Sequence, residues 1–340
     1  MICRVANLPD PPLPLLVTGV SGVAGYNAFH YFRARYPGQV IGLRQVNNWR
    51  LQGPDVVACD AEDQPGLARI FDRFGFASVL NCAGNCALKS CELDPPMAWR
   101  INLQGLRTLL EVVGGRAVRL VHLSIDLVFS GTGDGGHVER DGTDPVTVYG
   151  RTMAAAEHLL QLAHPQACLL RISLPMGISF NGHAGAIDWI QSRFRKSKPA
   201  TLYYDEIRSP TYTDCLNRVC RAVLASKLAG LYHAGGPRSL SLYQIAQVVN
   251  RVGGYDPRHL NGCLRREAGP IPPRAGNVSL NSRKLADALG FEPFDPWPLY
   301  ERHLPTHADW HWERPPGERG SPQLLAEVLY RNPARTTARG

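Results

Sequence analysis

The chain has 340 residues, of which 44% are hydrophobic and 19% are charged, and its formal net charge is +8. These values fit a soluble globular protein with one large domain or two coupled domains, and they exclude a disordered chain. No apolar run is long enough to span a membrane, Met1–Pro14 lacks the features of a signal peptide, and no basic stripe points to nucleic acid. We therefore expect a cytoplasmic protein with neither a membrane nor a nucleic acid as its partner.

The first elements along the chain form a strand–turn–helix unit. An apolar strand over Leu13–Thr18 leads into the turn Thr18-Gly19-Val20-Ser21-Gly22-Val23-Ala24-Gly25, and a helix over Val23–Tyr36 follows. Glycines in this context are typical of a dinucleotide-binding site, whereas an ordinary turn is the simpler alternative.

Each glycine of the turn has a predicted role. Gly19 permits a tight turn, Gly22 lets a pyrophosphate approach the backbone, and Gly25 lets the helix lie close to the sheet. The helix N-terminus then faces the phosphate charge. We expect Ser21 and Val23 to contact the cofactor together with these glycines.

The next two strands indicate which dinucleotide is bound. A strand over Val40–Leu43 ends at Arg44, where proteins that bind NAD usually have an acidic residue. An arginine there favours the 2′-phosphate of NADP, so we expect NADP ahead of NAD; a solvated Arg44 is the alternative. A strand over Val56–Cys59 leads to Asp60 and Ala61, and Asp60 either binds the adenine amino group or closes a plain turn.

Strands and helices continue to alternate through residue 172. The predicted elements are a helix over Pro65–Phe74, a strand over Ser78–Asn81, a helix from Asp94 to about Val113, a strand over Val118–Ser124, a helix over Val148–Leu162 and a strand over Ala167–Ile172. This alternation predicts an α/β fold with a Rossmann-like, doubly wound parallel sheet.

After residue 172 the alternation stops. A loop over Ser173–His183 precedes predicted helices over Ala186–Arg195, Asp214–Ser226, Ser241–Val252 (with Ser241 and Gln244 as a capping box) and Leu285–Leu289. These segments predict a smaller C-terminal substrate-binding lid. The expected division is a leader over 1–12, a cofactor-binding domain over 13–172 joined by 200–228, a substrate-binding region over 173–199 and 229–312, and a disordered tail over 313–340.

Cysteines and basic residues give weaker signals. Cys82, Cys86 and Cys91 match no standard zinc spacing, so we expect small buried side chains and no metal. The densest basic run comprises Arg193, Arg195, Lys196 and Lys198. A solvated helix end is the expected reading, and attraction of a phosphorylated ligand is the alternative.

The motifs together resemble the extended short-chain dehydrogenase/reductases, and within them the dTDP-4-dehydrorhamnose reductase-like subgroup. The matching segments are the glycine turn, Asn81-Cys82-Ala83-Gly84, Asn102, Ser124-Ile125-Asp126-Leu127-Val128-Phe129, Tyr149-Gly150-Arg151-Thr152 and Ile207-Arg208-Ser209-Pro210-Thr211-Tyr212. The resemblance implies further cofactor contacts from Cys82, Ala83, Gly84, Tyr149 and Leu174. It also implies a nucleotide-linked 4-keto sugar as substrate, contacted by Asn85, Asp126 and Arg208.

The chemistry that the resemblance implies is a proton relay beside a hydride transfer, and two of its positions are altered. Tyr149 stands where the family has its proton-transferring tyrosine, but the lysine position is Met153 and the hydroxyl position is Ile125. Methionine carries no charge, so Tyr149 keeps a pKa near its usual value of about 10, and the rate falls on the order of a hundredfold or more. Ser124 is a weak substitute because neighbouring side chains on a strand face opposite sides.

Two functions therefore compete. One is an NADP-dependent reductase of a nucleotide-linked 4-keto sugar that uses Tyr149 as acid. The other is a catalytically silent NADP-binding regulatory or scaffold protein, since the subgroup includes the regulatory beta subunit of methionine adenosyltransferase. A sugar-nucleotide epimerase or dehydratase reaction through Asn85, Lys89 or His183 ranks last. A homodimer or a regulatory protein partner is compatible with each function.

Overall fold

The structure, a computed structural model, describes residues 8–182, 185–314, 317 and 319–331. Its strands are β1 (Leu15–Thr18), β2 (Val40–Arg44), β3 (Val56–Ala58), β4 (Ser78–Asn81), β5 (Arg119–Ile125), β6 (Cys168–Ile172), β7 (Pro175–Met176), β8 (Ala200–Tyr203), β9 (Ile207–Arg208), β10 (Thr211–Tyr212), β11 (Gly230–Ala234), β12 (Leu240–Ser241) and β13 (Leu260–Cys263). Seven of them form one parallel sheet in the order β11-β6-β5-β4-β1-β2-β3. The order reverses between β1 and β4, and at such a point parallel sheets of this kind bind their ligands beyond the carboxyl ends of the strands.

Helices cover both faces of this sheet. They are α1 (Val23–Arg35), α2 (Gln64–Phe74), α3 (Leu88–Leu93), α4 (Pro95–Trp99), α5 (Gly105–Val113), α6 (Val148–Ala163), α7 (Ala186–Arg195), α8 (Thr213–Leu224), α9 (Leu242–Val252), α10 (Arg283–Leu289) and α11 (Pro322–Tyr330). Along β5, Val121 and Leu123 belong to one buried cluster, and Leu120 belongs to another on the opposite face. A strand buried on both faces needs mostly apolar side chains and partners for any polar ones, which explains the apolar runs in the sequence. The predicted Rossmann-like fold class is confirmed.

The smaller region consists of short strand pairs and helices. β7 pairs with β10 and β8 pairs with β13 in parallel, and β9 pairs with β12 antiparallel. The predicted capping box of α9 is present: the Gln244 N–H donates to Ser241 Oγ at 3.1 Å, and the Ser241 N–H donates to Gln244 Oε1 at 2.9 Å.

The structure corrects the expected division of the chain. Residues 230–234, expected in the smaller region, form β11 at the edge of the large sheet, where Tyr232 pairs with Leu170 of β6. Conversely, β8 was expected with the cofactor domain and pairs instead with β13. Both strands are too short for their sequence pattern alone to say which sheet they join.

Two further expectations change. The helix predicted from Asp94 to Val113 is interrupted by a π-helical turn, Arg100–Gln104, between α4 and α5. The segment expected to be a disordered tail contains α11, which begins at a Ser321 cap and buries Leu325 and Leu329. The segment as a whole is rich in Pro, Gly and Arg, and this composition predicted disorder although the segment also contains the apolar residues of α11. Residues 332–340 of that segment lie outside the described residues, as does His183.

Candidate functional site

The glycine turn after β1 is held by two backbone contacts that exclude a side chain. Gly19 has a φ of +64°, and a Cβ there would lie 2.4 Å from the Cys82 carbonyl oxygen. A Cβ on Gly25 would lie 2.3 Å from the Gly19 carbonyl oxygen. Both glycines are thus required by the fold itself.

Gly22 differs from the other two glycines. A Cβ at this position would lie 3.5 Å from the Gly19 oxygen, which is ordinary contact distance. Gly22 caps α1 without a side-chain hydrogen bond, and the first turn of α1 contains no acidic residue. The first N–H groups of this helix, including that of Val23, therefore have no side-chain acceptor among the described residues, which is the arrangement that binds phosphate.

A polar relay ties the glycine turn to the ends of β4 and β5. The Thr18 hydroxyl donates to Asn81 Oδ1 at 2.5 Å and accepts hydrogen bonds from the N–H groups of Cys82 and Ala83, both at 3.1 Å. Asn81 Nδ2 lies 2.8 Å from His122 Nδ1. Burial lowers the pKa of His122 to about 4, so it is neutral and can accept from the amide. The relay fixes the backbone that follows β4, where cofactor contacts were predicted.

Arg44 lies at the end of β2 as predicted. Its NH1 group donates to the carbonyl oxygens of Gln45 and Val46, both at 3.0 Å, and its buried Nε has no partner among the described residues. Asp60 accepts a hydrogen bond from the Val46 N–H at 3.0 Å, so one of its oxygens closes the loop after β2. Ala61 lies directly under Gly105 of α5, where a Cβ would come within 2.6 Å of the alanine methyl.

The same loop contains a residue that sequence reasoning missed. Asn48 Nδ2 donates to Ser21 Oγ at 3.1 Å and so joins the loop after β2 to the glycine turn. This contact brings Ser21 and Asn48 together on the side of the glycine turn that faces the loop after β2. No motif marks Asn48, because its role depends on the path of an irregular loop.

Asn102 occupies the π-helical turn and organises the loop after β4. Its Oδ1 accepts from the Asn85 N–H at 2.7 Å, and its Nδ2 donates to Thr152 Oγ1 at 2.8 Å. Gly84 lies beside it, since a Cβ there would be 3.4 Å from Asn102 Oδ1. Turns of this kind are frequent at functional sites because they re-aim one side chain of a helix. Here the turn fixes Asn85 next to the start of α6.

Tyr149 and Met153 are both buried at the start of α6, with 7% and 4% of their surface exposed. They belong to an apolar cluster that includes Leu127, Val128 and Phe129, so the methionine fills its space with hydrocarbon contacts. Burial raises the pKa of Tyr149 well above its usual value, and the thiol of Cys86 and the carboxylate of Asp126 add to this effect. Arg208 and Cys91 also face Tyr149, and the guanidinium of Arg208 opposes the rise.

The predicted substrate residues Asp126 and Arg208 bind each other. Arg208 Nε donates to Asp126 Oδ2 at 2.7 Å, a second bond joins Arg208 NH2 to Asp126 Oδ1, and the Ser173 hydroxyl donates to Oδ2 at 2.5 Å. Asp126 is fully buried, and Arg208 is 6% exposed. Both side chains therefore serve first as an internal ion pair between the loop after β5 and strand β9.

The two candidate hydroxyl positions on β5 point to opposite faces. The Ser124 hydroxyl donates to Glu157 Oε1 at 2.5 Å, and Glu157 binds Arg171 with two hydrogen bonds through Nε and one at 2.7 Å through NH2. The proton of Ser124 is therefore engaged by a buried carboxylate, an arrangement that disfavours the weakly predicted role of Ser124 as a catalytic hydroxyl. Ile125 lies half-buried against the cluster around Tyr149 and has no polar group to offer.

Leu174 and the three clustered cysteines differ in how much of each residue is exposed. Leu174 is 9% exposed, and its carbonyl oxygen accepts from the Thr211 N–H at 3.0 Å, so its side chain offers little surface to a ligand. Cys91 is buried as expected, but Cys82 is half-buried and Cys86 is exposed on the loop after β4. Although the residue is exposed, burial raises the pKa of the Cys86 thiol, which lies close enough to Tyr149 to affect its pKa.

Two negative findings apply to the described part of the chain. No group of three or more His, Cys, Asp or Glu side chains is arranged to hold a metal ion. No helix there is long and apolar enough to cross a membrane.

Comparison with known proteins relates the sequence of this chain to one family and to several of its relatives. A family model described as the RmlD substrate binding domain matches residues 14–302. A dTDP-4-dehydrorhamnose reductase of Aggregatibacter actinomycetemcomitans is 24% identical over 87% of this chain and 99% of that protein. The methionine adenosyltransferase 2 subunit beta of Danio rerio is 23% identical over 80% of this chain and 83% of that protein.

A solved structure supports the fold independently. The dTDP-4-dehydrorhamnose reductase of Bacillus anthracis, crystallised in complex with NADP, superposes with a TM-score of 0.69 at 18% identity. The match covers 85% of this chain and 96% of that one. At this identity the likeness establishes a shared fold.

Proposed function

The chain belongs to the RmlD substrate binding domain family of extended short-chain dehydrogenase/reductases, and we propose that it binds NADP and acts as a reductase on a nucleotide-linked 4-keto sugar. The observation that carries this proposal is the uncapped amino end of α1 behind Gly22. A helix end without an acidic residue or a side-chain cap leaves N–H donors for a pyrophosphate. The space above Gly22 lets the phosphates come close to the backbone.

The cofactor is NADP rather than NAD in this proposal. Arg44, Ser21 and Asn48 lie on the loop and turn that a 2′-phosphate would meet, and all three can donate hydrogen bonds. No acidic side chain stands at the end of β2 to hold the 2′-hydroxyl that NAD presents. The Bacillus anthracis relative, crystallised with NADP, is consistent with this choice.

The substrate assignment follows the dTDP-4-dehydrorhamnose reductase among the relatives. A reduced nicotinamide, if bound beside Tyr149, would supply the hydride for the keto carbon. The chain's own contribution is Tyr149, whose hydroxyl holds a proton that it can donate to the oxygen of the reduced carbon. Asn102 holds the Asn85 loop next to α6 and so shapes the wall of the cleft.

A silent NADP-binding role is the second candidate, and the altered acid–base positions favour it. Met153 is buried in hydrocarbon and cannot hold a ribose hydroxyl or draw a proton from Tyr149. Ile125 removes the second hydroxyl that would contact the substrate oxygen. The relationship to methionine adenosyltransferase 2 subunit beta makes a role in a protein complex reasonable for such a chain.

One experiment separates the two candidates. NADPH binding is measured by fluorescence titration, and NADPH oxidation is then followed with a panel of nucleotide-linked 4-keto sugars. We expect slow turnover by the wild-type protein and a gain of about a hundredfold for Met153→Lys combined with Ile125→Thr.

The outcomes are distinct. Turnover only in the double variant supports the silent role for the natural chain. Efficient turnover by the wild type, unchanged in the double variant, contradicts the importance assigned to both positions. Failure to bind NADPH or NADH overturns both candidates.

A further inference from the structure

The basic run at the end of α7 lies on an exposed surface that the cofactor site does not use. We define the basic patch as Trp189, Arg193, Arg195, Lys196 and Lys198, extended by Arg258 and His259. We propose that the basic patch docks this protein on an anionic lipid surface. This inference is independent of the proposed reductase function, and it departs from the expectation that no membrane is a partner.

Helical spacing brings an aromatic side chain into line with the cations. Trp189, Arg193 and Lys196 are spaced i, i+4 and i+7 along α7 and its C-terminal cap, so they lie on one face. Trp189 is 49% exposed, and the Arg193 guanidinium lies 5.9 Å from the centre of its ring. An exposed tryptophan flanked by basic residues is the composition that settles at the boundary between lipid headgroups and acyl chains.

Strand pairing enlarges the patch. β8 begins just after the basic run, and β13 pairs with it in parallel from Ala200 and Leu260 onward. Arg258 and His259 lie in the short helical turn directly before Leu260, and Lys198 lies two residues before Ala200, so all three are at the same end of this strand pair. Asp256, which pairs with Arg258 at 2.7 Å, is the acidic residue of that turn.

The cations of the run are not engaged by acidic partners. Among the described residues, none of the ion pairs involves Arg193, Arg195, Lys196 or Lys198. Arg193 Nε donates to the Pro199 carbonyl oxygen, and the next three cations are exposed. Cations at a helix C-terminus gain some stability from the helix dipole, but the effect is confined to the last turn and gives no reason for Lys198 or for the exposed Trp189.

The composition of the patch favours a lipid surface over a single-stranded nucleic acid. Trp189 is the one aromatic residue of the patch, so the patch offers no series of rings on which successive bases could stack. A lipid surface needs no groove, because each basic side chain reaches a separate headgroup. α7 starts beside the glycine turn, where a Cβ on Gly185 would lie 3.2 Å from Val23, and its ten residues place the basic run at its C-terminal end about 15 Å away.

The test is sedimentation of the full chain with vesicles. The vesicles contain either phosphatidylcholine alone or equal parts of phosphatidylcholine and phosphatidylglycerol, at low and at physiological salt. We expect binding to the anionic vesicles only, weaker at the higher salt because the charges are exposed. Replacing Arg193, Arg195, Lys196 and Lys198 by Gln should weaken binding at least about tenfold.

A matched control removes the same number of charges elsewhere. Gln at Arg69, Arg73, Arg107 and Lys227 lowers the net charge equally on other exposed surfaces and should bind vesicles like the wild type. Circular dichroism and thermal unfolding check that both variants are folded. Trp189→Phe should remove the blue shift of tryptophan fluorescence on binding.

Three results overturn the proposal. One is no binding of the folded wild type to anionic vesicles at low salt. Another is equal weakening in the two charge variants, which would mean that net charge rather than the basic patch is responsible. The third is binding of a single-stranded RNA probe that depends on the patch while vesicles are not bound.

Discussion

The three glycines of the turn after β1 belong to one motif, but different physical constraints act on them. Gly19 and Gly25 are required by the fold, since a Cβ on either would lie within 2.4 Å of a carbonyl oxygen. Gly22 is free of such contacts, so the fold itself would accept a side chain there, and a requirement for glycine would have to come from a ligand.

This difference can be measured with a pair of alanine variants. Gly25→Ala forces overlap with the Gly19 carbonyl and should lower the free energy of unfolding by about 1–3 kcal/mol. Gly22→Ala should leave unfolding unchanged within about 0.5 kcal/mol while NADPH affinity falls markedly. Urea denaturation and fluorescence titration provide the two readouts. Unchanged NADPH affinity in Gly22→Ala would show that the phosphates do not approach this residue, and a large loss of stability would show that the fold also requires this glycine.

At Tyr149 the burial of a phenol without a neighbouring ammonium has a consequence for the direction of the reaction. Because its pKa is raised well above the usual value, the hydroxyl stays protonated through neutral pH and can donate but not accept a proton. Reduction of a ketone needs the protonated form, whereas oxidation of an alcohol needs the deprotonated form.

The expected pH profiles of reduction and oxidation follow from the raised pKa of Tyr149. Reduction should show no loss attributable to Tyr149 between about pH 6 and pH 10, and oxidation should rise with pH over the same range. Met153→Lys introduces a positive charge, which lowers the pKa of Tyr149. The pH at which the reduction rate begins to fall should therefore move toward neutral pH. The ultraviolet difference spectrum against Tyr149→Phe reports the same ionisation when turnover is too slow. Ionisation of Tyr149 near neutral pH in the wild type would contradict this account.

Among the elements, α11 shows how a short helix can stabilise a fold from outside the matched family region. Val328 presents its carbonyl oxygen to the Tyr212 hydroxyl at 3.2 Å, and the Tyr330 hydroxyl accepts from Gln191 of α7 at 2.7 Å. Arg331 pairs with Asp295 at 2.6 Å just after the helix ends. The helix thus contacts several elements of both the sheet side and the smaller region.

The contribution of α11 can be tested at one buried position. Leu329 is fully buried, so Leu329→Ala should lower the free energy of unfolding by about 2–5 kcal/mol. Gln323→Ala on the exposed side of the same helix is the control and should change it by less than about 0.5 kcal/mol. Equal, small effects would mean that α11 is not packed on the molecule in solution.

The elements also show how far sequence reasoning reaches. The strands of the sheet in the first half, and α1, α2 and α6, were predicted within a few residues because each has a clear apolar pattern, whereas the short helix α3 was not predicted. The positions of β8 and β11 were not, since a four- or five-residue strand carries no information about its partner. The π-helical turn at Asn102 was missed because no residue in Arg100–Gln104 breaks a helix.

The candidate site shows the same limit. Residues tied to a motif, such as Gly22 and Arg44, lie where the motif predicts. The engagement of Ser124 by Glu157, and of Asp126 by Arg208, joins residues 33 and 82 positions apart and depends on tertiary packing. A single sequence contains no signal for such pairs.

On the scale of the whole molecule, the ion pair of Asp126 and Arg208 joins the sheet to the smaller region. The aspartate follows β5, and the arginine is on β9, which pairs with β12 rather than with the sheet. The pair is buried, and Ser173 supplies a further hydrogen bond to the carboxylate. Removing one partner from such a pair leaves an uncompensated buried charge, whereas removing both leaves none.

A double-mutant cycle tests this joint. Arg208→Met should lower the free energy of unfolding by about 3–5 kcal/mol at neutral pH, and Asp126→Leu combined with Arg208→Met should recover much of that loss. The loss of stability in the single variant should shrink as the pH falls, because burial already raises the pKa of Asp126. Once protonated, the Asp126 carboxyl is neutral, and the single variant no longer contains an unpaired buried charge. Urea denaturation at neutral and acidic pH gives all the required values. If the double variant is as unstable as the single one at both pH values, packing rather than charge pairing holds the smaller region against the sheet.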